Sequence, residues 1–217
     1  MQGAKYVQSE LRDTFLEAEN ALKAGRKVLF SGTPCQIAGL KNYLGKEYDN
    51  LLTVDLVCHG VPSPLVWESY LKYRKEKDGQ SEVADKVNMR SKVTGWSRYN
   101  YSVEYKYKDG QVYQKKNGED PYMRAFVSNM ILRPSCNECH FKGLERCSDF
   151  TLGDFWGIWN IKPEMDDDKG TSLVVVHSEK GRMYWEKIKE FCVSVEVTAE
   201  EAYRENPSMM VASAVHC

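Results

Sequence analysis

The spacing of apolar residues predicts alternating helices and strands in the first part of the chain. Apolar residues over 11–22 recur at helical spacing, which predicts an opening helix. The runs "RKVLFSG" and "LLTVDLVCHG" predict two buried strands, with a helix over 36–44 between them. A Ser-Pro pair then begins a helix over 64–77. This order of strand, helix, strand and helix predicts parallel strand-helix units.

The central part of the chain changes to a period of two residues. The alternating apolar residues are Tyr99, Tyr101, Val103, Tyr105 and Tyr107. Asp109 and Gly110 follow them and are typical of a tight hairpin turn. The pattern predicts an antiparallel hairpin insertion at about 83–117, placed on the surface.

The remaining pattern predicts a helix from Asp120 to about Arg133, and then three strands. These strands are "DFTLGDFW", "TSLVVVHS" and "VSVEVT", with a helix over 179–191 between the last two. Neither a repeat nor a long linker interrupts the pattern. The predicted fold class is therefore α/β of the mixed α+β kind, with parallel strand-helix units and the hairpin insertion in a single domain over 1–217.

Composition excludes several classes of function. A chain of 217 residues that is 42% hydrophobic has the make-up of a globular protein. Thirty basic and 31 acidic residues leave a net charge of -1, which gives no reason to expect nucleic acid as a partner. Because no apolar run reaches membrane-spanning length and the N-terminus lacks a signal-peptide pattern, we expect a cytoplasmic protein without a membrane span.

Seven cysteines are unusual for such a compartment, where structural disulfides are rare. Cys35 lies between a predicted strand and helix, where free amides and the helix dipole stabilise a thiolate. Cys58 ends the next strand, and the carboxyl ends of neighbouring parallel strands face one crevice. Metal or redox chemistry is the leading use of such cysteines. The alternatives are small buried residues filling turns, or a Cys35 nucleophile with His59 as its base.

The segment "CNECHFKGLERC" carries the strongest local signal. Its Cys136 and Cys139 form a Cys-x-x-Cys pair, whose sulfurs converge on one side of a turn and suit a metal centre. A zinc site is the alternative, and it would use Cys136, Cys139, His140 and Cys147. That site would leave the two strand-end cysteines unexplained.

Two further segments, "TLGDFWGIW" and "DDDKGTSLVVV", combine glycines with aromatic or acidic residues. Glycine lets a ligand approach the backbone closely, and aromatic side chains can wall a planar ring. Aromatic core packing and a solvated acidic loop are equally compatible with these residues.

Six motifs occur together in one order along the chain. They are "KYVQS", "GTPCQIAGL", "VDLVCHGVPSP", "CNECHFKG", "SDFTLGDFWGI" and "DKGTSLVVV". With them the chain resembles the C-terminal domain of the coenzyme F420 hydrogenase/dehydrogenase beta subunit. One departure is the absence of a C-x-x-C-x-x-C-x-x-x-C-P run, so we expect that the ferredoxin-like part of many relatives is missing.

The resemblance implies an iron-sulfur flavoprotein, with FAD beside a 4Fe-4S cluster. The flavin would exchange a hydride with a deazaflavin or another small organic substrate, and the cluster would pass single electrons to a ferredoxin-type protein or another redox subunit. The implied cluster ligands are Cys35, Cys58, Cys136 and Cys139. The implied flavin contacts are Lys5, Gly32, Thr33, Pro34, Gln36, Thr151, Gly153, Asp154, Lys169 and Gly170. The alternative remains a zinc-stabilised interaction domain without redox activity.

Overall fold

The computed structural model describes residues 4–97 and 100–215. The strands are β1 (Val28–Ser31), β2 (Leu51–Leu56), β3 (Lys86–Ser91), β4 (Ser102–Lys106), β5 (Val112–Lys116), β6 (Phe150–Asp154) and β7 (Ser172–Val176). The helices are α1 (Thr14–Lys23), α2 (Pro34–Leu44), α3 (Pro64–Lys77), α4 (Pro121–Val127), α5 (Pro134–Asn137), α6 (Ile158–Ile161), α7 (Glu179–Ile188), α8 (Ala199–Tyr203) and α9 (Pro207–Met210). Short 3₁₀ turns cover Pro163–Met165 and Lys189–Phe191.

One sheet has four strands in the order β1-β2-β6-β7. β1 pairs with β2 in parallel, β2 pairs with β6 in parallel, and β7 runs antiparallel to β6. The predicted parallel unit of β1, α2 and β2 is therefore confirmed. The carboxyl ends of β1, β2 and β6 consequently lie at one edge of this sheet.

Helices α1 and α2 pack against one face of the four-stranded sheet. Their shared core consists of Ala18, Leu22, Phe30, Ile37, Leu40, Leu44 and Leu51. Helix α2 starts where the Gln36 side chain folds back to accept the Thr33 N–H at 2.9 Å. It ends at Gly45, whose φ of 65° is the left-handed conformation that glycine adopts without strain. The contact between Gln36 and Thr33 fixes the start of α2 just beyond the end of β1.

The second sheet has three antiparallel strands in the order β3-β4-β5. The hairpin of β4 and β5 was predicted, whereas β3 was not, and Tyr99 lies outside the described residues. The expected surface position is wrong, because this sheet has a hydrophobic core of its own beneath α3 and α4. That core contains Tyr70, Val87, Met89, Tyr101, Val103, Tyr105, Tyr122, Met123 and Phe126. The fold is thus mixed α/β, with a mainly parallel sheet and a separate antiparallel sheet.

Two other predictions differ from the structure. Helix α4 ends at Val127, well before Arg133, and the chain makes a turn before α5. The segment "VSVEVT" forms no strand, and Val193 is 88% exposed. Its alternating valines give β propensity, but a strand also requires a neighbour with which to pair. The predicted helix over 179–191 is confirmed as α7 and the 3₁₀ turn that follows it.

The two sheets meet at the carboxyl end of β6. Arg90 on β3 forms an ion pair with Asp154 on β6, with its Nη2 2.6 Å from Oδ2. Trp96 stacks on Trp156 nearby, with ring centroids 5.7 Å apart. The antiparallel sheet therefore closes one side of the edge at which the parallel strands end. Within residues 4–97 and 100–215, no helix is both long and apolar enough to cross a membrane.

Asp120 joins α4 to the antiparallel sheet, and its replacement provides a test of this core. The buried carboxylate accepts the Met123 N–H at 2.9 Å and the hydroxyls of Tyr70 at 2.5 Å and Tyr113 at 3.2 Å. We expect Asp120→Ala to lower the free energy of unfolding by about 3 kcal/mol, because a helix cap is lost and buried hydroxyls lose their acceptor. Urea denaturation measures this change.

Asp109→Ala is the control, because Asp109 also accepts hydrogen bonds but lies in an exposed hairpin turn. Its loss should lower the free energy of unfolding by less than about 1 kcal/mol. Equal effects of the two substitutions would show that the Asp120 network does not hold this core together.

Candidate functional site

Four cysteines line one cleft at the carboxyl edge of the parallel strands. Cys35 is in the first turn of α2, directly after β1, and Cys58 follows the end of β2. Cys136 belongs to α5, and Cys139 follows in the next turn. The other lining residues are Pro34, His59, Gly60, Val61, Phe141, Lys142 and Arg146. The cleft thus joins three segments that are far apart in sequence.

Short backbone pairing brings the Cys-x-x-Cys turn to the strand ends. Residues 61–63 pair with 131–133: the Arg133 N–H donates to the Val61 carbonyl at 2.9 Å and the Ser63 N–H donates to the Ile131 carbonyl at 3.1 Å. The Val61 N–H in turn donates to Cys136 Sγ at 3.4 Å. Because residues 61–63 come soon after Cys58, this pairing fixes the position of α5 beside that cysteine.

The environments of the cysteines differ across the cleft. Burial raises the pKa of the Cys58 thiol to about 11. The nearby Lys142 ammonium has a smaller effect in the opposite direction. Lys142 Nζ donates to the carbonyls of Cys58 and, at 2.7 Å, Ser208, and burial lowers the pKa of this lysine. Cys35 is exposed, with its Sγ 3.1 Å from Thr33 Oγ1. The cleft is therefore enclosed at Cys58 and open to solvent at Cys35.

His59 uses both ring nitrogens within the protein. Because a carbonyl oxygen only accepts, Nε2 donates to the Phe126 carbonyl at 3.2 Å, which leaves Nδ1 to accept from the Ser208 hydroxyl at 3.3 Å. Burial lowers the pKa of this imidazole. His59 thus holds α4 and α9 against the cleft, and this arrangement does not provide a free base for a Cys35 nucleophile.

The residues of the zinc alternative are divided between the cleft and the surface. His140 and Cys147 are exposed and are not among the cleft residues. In the described part of the chain, no three His, Cys, Asp or Glu side chains are grouped to hold a single metal ion. Cys192 is exposed on the segment after α7, and Cys217 lies outside the described residues.

An aromatic pocket of about 340 Å³ lies next to the end of β6. Its aromatic residues are Trp96, Phe155, Trp156 and Trp159, and its carboxylates are Asp154, Asp166 and Asp168. Gly170 is part of its wall and has a φ of 95°; a Cβ there would overlap Trp96 Nε1. The pocket has the walls that a planar ring requires.

The predicted flavin residues are distributed over several places. Asp154 and Gly170 line the aromatic pocket, whereas Pro34 lines the cysteine cleft. Gly32 leaves room for the Gln36 side chain, which caps α2 through the Thr33 N–H. Gly32, Thr33 and Gln36 therefore shape the turn that presents Cys35.

The remaining flavin residues lie around the same edge. Thr151 is buried, with its hydroxyl bonded to Asp55 Oδ1 at 2.5 Å and to His177 Nε2 at 2.8 Å. Lys169 is exposed, and its carbonyl accepts from Lys92 Nζ. Lys5 is also exposed, on the segment beside β3 where the Ala4 carbonyl accepts the Met89 N–H at 2.7 Å.

Gly153 connects the pocket with the cleft. A Cβ on Gly153 would lie 2.7 Å from Val57 Cγ2, so these two residues pack directly together. Asp154 of the pocket follows Gly153, and Cys58 of the cleft follows Val57. The pocket and the cleft are therefore only about one residue apart along each of these two segments.

Sequence reasoning missed several residues that shape the site. Lys142 and Arg146 line the cleft and lie within the quoted cysteine segment, so their positive charge near four thiols was a usable signal. Asp55 is a carboxylate inside an otherwise apolar strand, which is a second such signal. Arg90 and Trp96 belong to no recognisable sequence motif, because their role depends on how the antiparallel sheet packs.

The comparison with known families gives this site its context. Residues 25–201 match the family described as the C terminus of the coenzyme F420 hydrogenase/dehydrogenase beta subunit. The chain belongs to this family, and the matched range includes both the cysteine cleft and the aromatic pocket. Membership implies a redox role and indicates an oxidoreductase. Among curated proteins, none matches this sequence significantly.

Gly170→Ala tests the wall of the aromatic pocket. The new methyl group overlaps Trp96, so we expect the indole to move and its stacking on Trp156 to be lost. Near-ultraviolet circular dichroism should show a reduced tryptophan signal. Gly110→Ala is the control, because it has a similar φ of 90° but no atom within 4 Å of a new Cβ. An unchanged tryptophan spectrum in Gly170→Ala would contradict this geometry.

Proposed function

We propose that this chain is an iron-sulfur flavoprotein oxidoreductase or electron-transfer subunit. It binds a 4Fe-4S cluster through Cys35, Cys58, Cys136 and Cys139, and FAD beside that cluster. The observation that carries the proposal is the convergence of these four cysteines, from three separate segments, on one cleft of a redox-family domain.

The residues of the cleft fit an iron-sulfur cluster. Four thiolates are the usual ligands of such a cluster, and each binds a different iron, so their sulfurs do not have to meet at a single ion. The Val61 N–H already donates to Cys136 Sγ, which is the kind of contact that tunes a cluster. Lys142 and Arg146 bring positive charge to a cofactor that is anionic with its ligands.

The aromatic pocket fits the ring of a flavin better than its diphosphate. Trp96 and Trp156 offer flat walls, whereas Asp154 and the two other carboxylates would repel phosphate. Lys169 and Lys5 are the nearby cations of the proposed flavin residues, and we assign the phosphates to their side of the pocket. When bound, FAD supplies hydride transfer and the conversion to one-electron steps.

The chain's own residues would then position and shield the cofactors. Gly153 and Val57 pack together between the pocket and the cleft, which keeps the two cofactor sites close to each other. Cys35 at the open side of the cleft marks where an electron carrier would approach. We propose a ferredoxin-type protein or another redox subunit there, a small organic or deazaflavin substrate at the flavin, and a cytoplasmic location.

Replacing single cysteines tests the cluster. We expect Cys35→Ser, Cys58→Ser, Cys136→Ser and Cys139→Ser each to lower iron and sulfide per chain at least about twofold after anaerobic reconstitution, since a ligand is weakened. Cys192→Ser is the control and should bind as the wild type does, because this exposed cysteine is not in the cleft. Wild-type iron content in all four variants would refute the assignment.

Reversing one charge tests the flavin placement. We expect Lys169→Glu to weaken FAD binding about tenfold, which corresponds to about 1.4 kcal/mol, because a cation near the phosphates becomes an anion. Lys72→Glu, an exposed residue of α3, is the matched control. Fluorescence of the flavin released after gel filtration measures retention. Equal retention in both variants would count against the placement.

A further inference from the structure

A buried ion pair lies directly behind the cysteine cleft. Arg146 Nη1 is 3.6 Å from Asp55 Oδ2, and the two side chains are 3% and 0% exposed. Asp55 belongs to β2, the strand that leads to Cys58, and Arg146 is one of the residues that line the cleft. The pair therefore connects the interior of the sheet with the space between the cysteines.

Most donors and acceptors of this pair are already used. Arg146 Nε donates to the Gly143 carbonyl at 2.9 Å, and Nη2 donates to the Met209 carbonyl at 3.2 Å. Asp55 Oδ1 accepts from the Thr151 hydroxyl. Nη1 and Oδ2 are the exceptions: both are buried, and neither has a hydrogen-bond partner within the described residues. The guanidinium is thus held by two carbonyls and by the ion pair with Asp55, while Nη1 itself makes no hydrogen bond.

A buried N–H without a hydrogen bond is costly, and Nη1 has only the long 3.6 Å ion-pair contact with Asp55, which leaves room for a further acceptor. A buried charge that lacks hydrogen bonds costs at least as much as a lost hydrogen bond, and ion pairs in interiors need such bonds to compensate desolvation. The neighbouring cleft contains four sulfurs, which become anionic when they bind a cluster. Sulfur in that state accepts N–H groups, so it is a suitable acceptor for Nη1.

We propose that Arg146 is a positioning residue that donates to the sulfur atoms of the cluster and raises its reduction potential, with Asp55 holding the guanidinium in place. The inference rests on the proposed cluster at the four cysteines. Reduction adds one negative charge to the cluster, and a fixed cation nearby stabilises that charge. Lys142 contributes charge as well, but its ammonium is bonded to the carbonyls of Cys58 and Ser208.

The test compares Arg146→Gln and Arg146→Lys with the wild type after anaerobic reconstitution. Iron and sulfide are measured per chain, and the reduction potential is measured by a titration followed by electron paramagnetic resonance. We expect Arg146→Gln to have a lower potential, or to lose the cluster while remaining folded by circular dichroism. Arg146→Lys should hold the cluster with a potential between those of the wild type and Arg146→Gln, because it keeps the charge but not the fixed guanidinium donors.

Arg74→Gln is the matched control. Arg74 also forms a largely buried ion pair, with Asp78, but it packs on Tyr113 in the antiparallel sheet. It should lower stability without changing the potential. An Arg146→Gln potential equal to the wild-type value, or an equal shift or loss in Arg146→Lys and Arg146→Gln, would overturn the inference. Failure of the wild type itself to bind iron would instead refute the proposed function.

A second measurement needs no variant and therefore does not depend on whether Arg146→Gln folds. Wild-type protein is labelled with ¹⁵N in the arginine guanidinium groups, and the cluster is reduced. Electron spin echo modulation from ¹⁵N is expected, because Arg146 lines the cleft and no other arginine among the described residues does. A reduced cluster without this modulation would contradict a guanidinium donor to sulfur.

Discussion

The pairing of β2 with β6 is the contact on which the site depends. It pairs residues that are 96 positions apart in the chain and is reinforced by buried polar contacts. Thr53 donates to Asp149 through both its N–H, at 2.7 Å, and its hydroxyl, at 2.8 Å. Because β6 lies beside β2 in parallel, the end of β6 and its aromatic pocket reach the same edge as Cys58. Without this pairing, the pocket and the cleft would not be neighbours.

The second requirement is that other segments close over this edge. Residues 131–133 pair with 61–63 and bring the Cys-x-x-Cys turn to the strand ends, while Arg90 and Trp96 of the antiparallel unit close the pocket. The pocket therefore depends on contacts between the two sheets as well as within them. This is the arrangement that lets one domain present a thiol-lined cleft and an aromatic pocket about one residue apart.

The sequence was sufficient to predict an element of the fold where short-range signals agree with the tertiary structure. The parallel unit of β1, α2 and β2 followed from the apolar runs of its two strands and the helical pattern between them. It was not sufficient for β3, whose partner β4 decides its place, or for "VSVEVT", whose alternation found no partner strand. The grouping of Cys35 and Cys58 was expected from strand ends, whereas the ion pair of Arg146 with Asp55 depends on tertiary packing that no short-range signal shows.

The proposed function requires that the four cysteines of the cleft hold one four-iron cluster. Wild-type protein reconstituted with ⁵⁷Fe and sulfide under anaerobic conditions, and then studied by Mössbauer spectroscopy, tests it most directly. We predict that the iron forms a single species with the spectrum of a thiolate-ligated 4Fe-4S cluster, at about four irons per chain. Iron bound as a mononuclear thiolate site, or a protein that takes up zinc and no iron, would contradict the account.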